Sequence, residues 1–324
     1  MNFKLLAFLT ALTILSSLLA SEKKEALSDF DPWYTGPLIA IPADNVLPGR
    51  VNINPYWIVN NIYGQYNSHW NGNSTSNLTQ INNLWVIEYG ITDLFDIVIQ
   101  PSATCNIKKG SHYTGLNDLG FRVNFQFSTE IPGTMQPSIR FMFRQHFPTG
   151  KYDQFNPSKH GTESLGKGCF ETILGLNLGK IVYWLKAHPI RWRVNLAYSF
   201  PTTVHVEGFN TYGGGYNTYG TAHPGSTFNL VISHEFSLTQ RWVLALELQY
   251  RHYRKTSFHG ILGTDLAGNT ATMGSASGDN FLISPCVEYN FTKNLGVYAG
   301  VEVTFLGRNT TQFVSPNLSL TYTW

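Results

Sequence analysis

Hydrophobic and polar residues alternate with a period of two along most of the chain. In residues 312–324, Val314, Leu318, Leu320, Tyr322 and Trp324 fall on one side, and Ser315, Asn317, Ser319, Thr321 and Thr323 on the other. In residues 295–305, Leu295, Val297, Ala299, Val301, Val303 and Phe305 alternate with Gly296, Tyr298, Gly300, Glu302 and Thr304. Successive side chains of a strand point to opposite faces, so each segment reads as a strand with one apolar and one polar face. Residues 118–127 repeat the pattern, with Leu119, Phe121, Val123, Phe125 and Phe127 against Asp118, Arg122, Asn124 and Gln126. So do 81–89, 94–101, 139–147, 169–179, 192–200, 227–238, 242–250 and 281–291. Residues 51–63 are less distinct, because Tyr56, Ile58 and Ile62 make the second face apolar as well. About 12 strands result. Pro285 and Pro316 fall inside two of them, where the lost backbone donor predicts a bulge or a strand end.

The connections alternate in length. Residues 90–93, 129–136, 186–190, 239–241 and 292–294 are short; 67–80, 104–114, 148–168, 204–226 and 255–278 are long; 306–311 is a short exception among the long ones. Short turns on one side, long loops on the other and an even number of strands describe a transmembrane antiparallel up-and-down β-barrel, all-β, with its apolar face to lipid. A secreted soluble sandwich or barrel would turn the same face inward. Trp192, Trp242, Tyr250 and Trp324 sit at strand ends, as interfacial girdles require.

The N-terminal end is different. Residues 1–20 read as a signal peptide, with Lys4 ahead of an apolar run. Residues 21–49 do not alternate and contain Pro32, Pro37, Pro42 and Pro48. They form an irregular proline-rich periplasmic arm. Trp33, Tyr34, Leu38 and Ile39 make it too apolar for a free tail, so it either tucks into the barrel mouth or covers the periplasmic rim. Residues 50–324 are the barrel. No second long apolar run exists, which argues against a helical membrane protein, and a formal charge of +2 gives no reason to expect nucleic acid as a partner.

The alternating segment that ends in Tyr-Thr-Trp resembles the C-terminal signal strand of Gram-negative outer-membrane barrels. That resemblance implies an assembly signal at Leu318, Leu320, Tyr322 and Trp324, read by the barrel-assembly machinery, and an outer-membrane location with both termini periplasmic. The wider pattern includes the signal peptide, Glu88-Tyr-Gly-Ile-Thr-Asp93 between strands, the alternating segments and the terminal aromatic. It resembles an outer-membrane β-barrel family similar to transporters linked to phenol-type degradation pathways. The family implies passive uptake of small solutes, aromatic ones among them, in contact with outer-membrane lipid. It assigns no substrate contact to any residue.

Charged residues on the polar faces form two groups. Arg122, Arg140, Arg144 and Arg193 would line one wall of a closed barrel, and Glu235, Glu247, Glu288 and Glu302 the opposite one. Two such walls set selectivity in an open pore. In a filled lumen the same residues pair internally, with Glu171 and Asp118 also in reach of the arginines. Catalysis has little support. Ser233 and His234 are adjacent and so point to opposite faces, and the His-x-Ser-Asn-Gly motif of outer-membrane phospholipases is missing. No histidine spacing suits a metal and no cofactor is expected. Cys105 and Cys169 fall at outer strand ends, where a disulfide is one reading, and Cys286 reads as a small packed residue. Tyr212-Gly-Gly-Gly-Tyr216 and Tyr219 form a loop that either packs on itself or stacks on a solute. The expected function is an outer-membrane channel or uptake barrel. The alternative is a structural or adhesion barrel with a closed lumen and working loops.

Overall fold

The computed structural model describes residues 27–324. The expected signal peptide and the first residues of the arm lie outside the described residues. Twelve antiparallel strands form the barrel: β1 (Val51–Tyr66), β2 (Gly72–Gly90), β3 (Phe95–Gln100, continued by Ser102–Lys108), β4 (Ser111–Leu116, continued by Leu119–Ser128), β5 (Ser138–Phe147), β6 (Glu171–Val182), β7 (Ile190–Pro201), β8 (Thr227–Ser237), β9 (Trp242–Tyr253), β10 (Gly278–Asn290), β11 (Leu295–Arg308) and β12 (Thr310–Thr323). Each pairs with its neighbours in the chain, and β1 pairs with both β2 and β12, which closes the sheet. Asn52 opposes Thr323 at one end of the closing seam and Tyr66 opposes Thr310 at the other.

The faces are inverted relative to a soluble protein. On β12, Leu318 and Tyr322 are 45% and 44% exposed while Ser319 and Thr321 are 0% and 3%. Leu244, Leu246 and Leu248 of β9 point outward and Glu247 inward. At the turn end, Trp242 packs on Tyr289 and Tyr322 on Trp324, an aromatic belt at the rim.

Two loops expected from the sequence are mostly strand. Residues 72–80 extend β2, and β3 and β4 run on to a turn at Lys109–Gly110. These extensions carry polar residues on both faces, such as Asn73, Ser74, Thr75, Ser76 and Asn77. A hairpin that projects past the lipid needs no apolar outer face, so the period-two signal fades although the strand continues.

Pro55, Pro285 and Pro316 all remain inside strands. Pro285 opposes Leu246 of β9, while the β10–β11 ladder skips from the Ile283–Val303 pair to the Cys286–Gly300 pair. Pro316 opposes Val301, and the β12–β1 ladder skips from Asn317 to Val314. Proline offers no N–H, so pairing is interrupted on one side only.

The three longest loops fold together over one end. Val204–Glu207, Tyr219–His223 and Ser257–Ile261 form a small antiparallel sheet. Beneath it Cys169, Val204, Val206 and Ala222 make a buried cluster against Tyr152, Tyr212, Phe258 and Met273. Asn106 on the barrel wall donates to the carbonyls of Thr162 and Ser164, at 2.8 and 3.1 Å, and fixes the loop after β5.

Candidate functional site: the lined lumen

The arm lies inside the barrel, in the half nearer the short turns. It follows the wall from β10 back to β2. Asn290 of β10 donates to the carbonyl of Trp33, and Glu288 accepts from both the amide and the hydroxyl of Thr35. Glu247 of β9 accepts from the amides of Ile39 and Ala40 at 2.9 and 2.6 Å. Asn195 of β7 pairs with both backbone groups of Ile41, at 2.8 and 3.0 Å. Asp44 takes Ser138 of β5 and, at 2.6 Å, Arg191 of β7. Gln126 of β4 accepts from the amide of Asn45 at 2.7 Å, Asp96 of β3 from that of Val46, and the Gly90 carbonyl of β2 from that of Gly49. An irregular segment has no strand partner for its amides, so buried side chains satisfy them instead.

Glycines on the lumen face make room for this path. A Cβ on Gly296 would overlap Thr35, one on Gly179 would press on Ala43, and one on Gly300 would overlap Leu38. Leu38 packs with Ala245, Cys286 and Tyr298, with Ile39 and Tyr56 beside them, and the Tyr298 hydroxyl donates to that of Tyr56 at 2.7 Å. The apolar inner face of β1 thus serves the arm at Tyr56 and lines a cavity at Ile58 and Ile62.

The charged residues occupy two arcs that meet. Arg122 and Arg144 face each other across β4 and β5, with Arg140 toward the turns. Arg140 lies 2.9 Å from Glu88 and 3.2 Å from Asp96, and Arg122 lies 3.6 Å from Glu88. Arg193 holds Glu235 through two bonds of 2.5 and 3.1 Å, joining the arcs. Glu247 and Glu288 serve the arm. Glu302 pairs with Arg251 at 3.0 Å.

Glu171 and Asp118, within reach of the arginines by sequence, are engaged elsewhere. Glu171 takes Lys167 and His146, and Asp118 takes the amides of Gly150 and Lys167. The partners that the sequence reading missed are Glu88, Asp96, Arg251 and Asp44. Glu88 belongs to the stretch Glu88-Tyr-Gly-Ile-Thr-Asp93, which reads as a connection between strands. Asp96 carried the right signal, since it opposes Phe95 and Ile97 in the alternation.

A cavity of about 360 Å³ occupies the other half of the lumen, nearer the long loops. Asn60, Gln80, Asn82, Thr104, Asn280 and Ser315 line it with amides and hydroxyls, and the Arg251–Glu302 pair crosses its wall. It can hold a small solute and offer it both donors and acceptors.

Ser233 is buried on the lumen face, whereas His234 packs edge-on against Trp192. Cys105, Cys169 and Cys286 are free thiols, so no disulfide joins the loops. Burial pushes the Cys169 thiol up from its ordinary value. The Tyr212 hydroxyl donates to the Lys167 carbonyl at 2.6 Å, and Tyr216 and Tyr219 stay exposed on the cap.

The model of the family described as "Putative MetA-pathway of phenol degradation" matches residues 64–320. No curated protein matches the sequence. Among solved structures, an outer membrane channel of the COG4313 group from Pseudomonas putida F1 superposes with a TM-score of 0.65 at 11% identity, covering 89% of this chain and 100% of that one. The transport unit of the autotransporter AIDA-I from Escherichia coli gives 0.44 at 11% identity over 85% of this chain and 90% of that one. The NanC porin gives 0.38 at 9% identity over 82% and 98%. The first of these likenesses shows a shared barrel fold.

Proposed function

Because the chain belongs to the family described as "Putative MetA-pathway of phenol degradation", whose model matches residues 64–320, we propose that it is an outer-membrane uptake channel. Small solutes pass by diffusion. The observation that carries this reading is the polar cavity of about 360 Å³ inside the barrel. A wall of amides and hydroxyls beside Ile58, Ile62 and Phe313 suits a small molecule with a hydroxyl on an apolar body. The family description points the same way, toward phenol-type compounds.

The start of β1 and the end of β12 lie together, since the amide of Val51 donates to the carbonyl of Trp324 at 3.1 Å. In the proposed orientation this end faces the periplasm and the loop cap faces outward. Leu318, Leu320, Tyr322 and Trp324 then present the apolar face that the barrel-assembly machinery engages, and outer-membrane lipid covers it afterwards. The charged arcs act with the arm: Glu247 and Glu288 hold it, and Arg140 donates to the carbonyl of Asp44 at 2.9 Å. No catalytic role is assigned to any residue.

One observation favours the closed-lumen alternative, a structural barrel with working loops. The arm fills the turn-side half of the lumen. Single-channel recording in a planar bilayer separates the two. The uptake reading expects conductance steps from the full chain, growing when residues 28–47 are deleted. A silent bilayer for both proteins would establish the closed barrel instead.

A further inference from the structure

Arg144 stands on the lumen face of β5 directly opposite Arg122 of β4. Among the described residues no carboxylate lies within ion-pair distance of Arg144, no acceptor takes a hydrogen bond from it, and its Nε is buried. Arg122 is 3% exposed and its Nε is likewise buried without a partner. Its one acidic neighbour, Glu88, is 3.6 Å away and turns its other oxygen to Arg140 at 2.9 Å. Asp96 also serves Arg140, at 3.2 Å. Arg122 and Arg140 therefore share Glu88, Arg140 also takes Asp96, and Arg144 is left with neither. The next acid along this wall, Glu171, is held by Lys167 at 2.8 Å and His146 at 3.2 Å.

Like charges directly opposite on a ladder repel, and a buried guanidinium donor without an acceptor is costly. Among the described residues no hydrogen-bond acceptor or ion-pair partner offsets either effect at Arg144. An anion placed between the two guanidinium groups would answer both. Planar guanidinium groups offer forked donors that match the two oxygens of a carboxylate. The flanking positions are aliphatic, with Val98 opposite Arg122 and Ile173 opposite Arg144. Such flanks favour an acid with an apolar body over a strongly hydrated inorganic anion.

We propose that Arg122 and Arg144 form a binding step for the carboxylate of a small monocarboxylic acid with an apolar body. The step lies toward the loops from Arg140, which touches the arm. It rests on the uptake reading and extends it, adding carboxylates to the class of solutes handled. Arg144 is the residue that contacts the ligand without a prior duty. Arg122 shares Glu88 and is partly structural.

The test is calorimetric titration of the purified full-length barrel in detergent with benzoate, alongside its neutral isostere benzamide. Benzoate should bind saturably at one site and benzamide should not. Arg144→Gln should weaken benzoate by about tenfold or more, the usual loss for a charge-assisted bond, and Arg144→Lys by less. Both variants should keep the heat-modifiable migration of the folded barrel, since Arg144→Gln relieves the repulsion with Arg122 and Arg144→Lys leaves the charge as it is. Absence of saturable binding, equal affinity in Arg144→Gln, or displacement of benzoate by inorganic phosphate at equal concentration would overturn the assignment. The titration does not depend on conductance. Benzoate binding with a silent bilayer would remove the uptake reading and leave the site. A conducting barrel blind to benzoate would remove the site and leave the channel.

Discussion

Gly296 of β11 and Thr35 of the arm share one space. A Cβ on Gly296 would have three atoms of Thr35 as its nearest neighbours. Gly179 is similar, since a Cβ there would meet only Ala43 within van der Waals range. Gly296→Val or Gly179→Val should therefore displace the arm and spare the wall. Larger conductance steps with unchanged heat-modifiable migration are expected in bilayer recordings of each variant. Gly300→Val is a poorer tool, because it would also strike the Pro285 carbonyl. Unchanged conductance in both clean variants would show that the arm does not limit the path.

The Arg193–Glu235 pair is fully desolvated, at 2% and 0% exposure. Glu235→Gln leaves a buried guanidinium short of its counter-charge and should cost about 3–5 kcal/mol. Replacing both residues, Arg193→Met with Glu235→Leu, should recover most of that loss, since two desolvation costs vanish together. Urea unfolding in lipid vesicles measures both. A double variant as weak as the single would mean that the pair has a further partner.

Leu246 points outward from β9, and Pro285 and His234 are its ladder neighbours. Leu246→Arg should destabilise the barrel by about 2–4 kcal/mol if that height is near the lipid midplane. Leu246→Phe should change stability by less than about 1 kcal/mol. Equal losses in the two variants would place Leu246 away from the hydrocarbon.

Deleting residues 322–324 removes the pairs of Thr323 with Asn52 and Tyr322 with Ile53, and the two backbone bonds between Val51 and Trp324. The seam that closes the sheet then opens at the turn end. Exported chain should accumulate in a protease-sensitive, heat-unmodifiable form. Normal levels of folded barrel after the deletion would show that the segment is dispensable for assembly.

Most of the wall was legible because lipid imposes a strict rule. One face of each crossing must be apolar, so Leu244, Leu246 and Leu248 or Leu318, Leu320 and Tyr322 mark their strands without ambiguity. Above the lipid that rule lapses, and residues 72–80 read as a loop although they pair in the sheet. The arm was legible only as non-strand. A segment without a period has no register, so nothing along residues 30–49 announces Glu247 or Glu288 as its acceptors. The role of the inward glycines Gly179, Gly296 and Gly300 depends on Ala43, Thr35 and Leu38, which lie more than a hundred residues away. Glu302 reads as charged and lumenal from the alternation, yet its pairing with Arg251 required knowing how β9 and β11 flank β10.

The arm joins β1 through Gly49, whose φ of 77° turns the chain back along the wall, and Gly49 is held by the Gly90 carbonyl. So short a tether makes the arm a ligand that never leaves its receptor. Its occupancy depends on local concentration, of order millimolar for a short flexible link, and not on how much protein the membrane holds. Any solute that shares the arm's acceptors competes against that standing concentration, and one that binds only in the loop-side cavity does not. Flux of a solute of the first kind would then saturate at levels set by the length and stiffness of the segment before β1. Lengthening that segment with glycine and serine should shift the saturation point while every residue of the wall stays as it is.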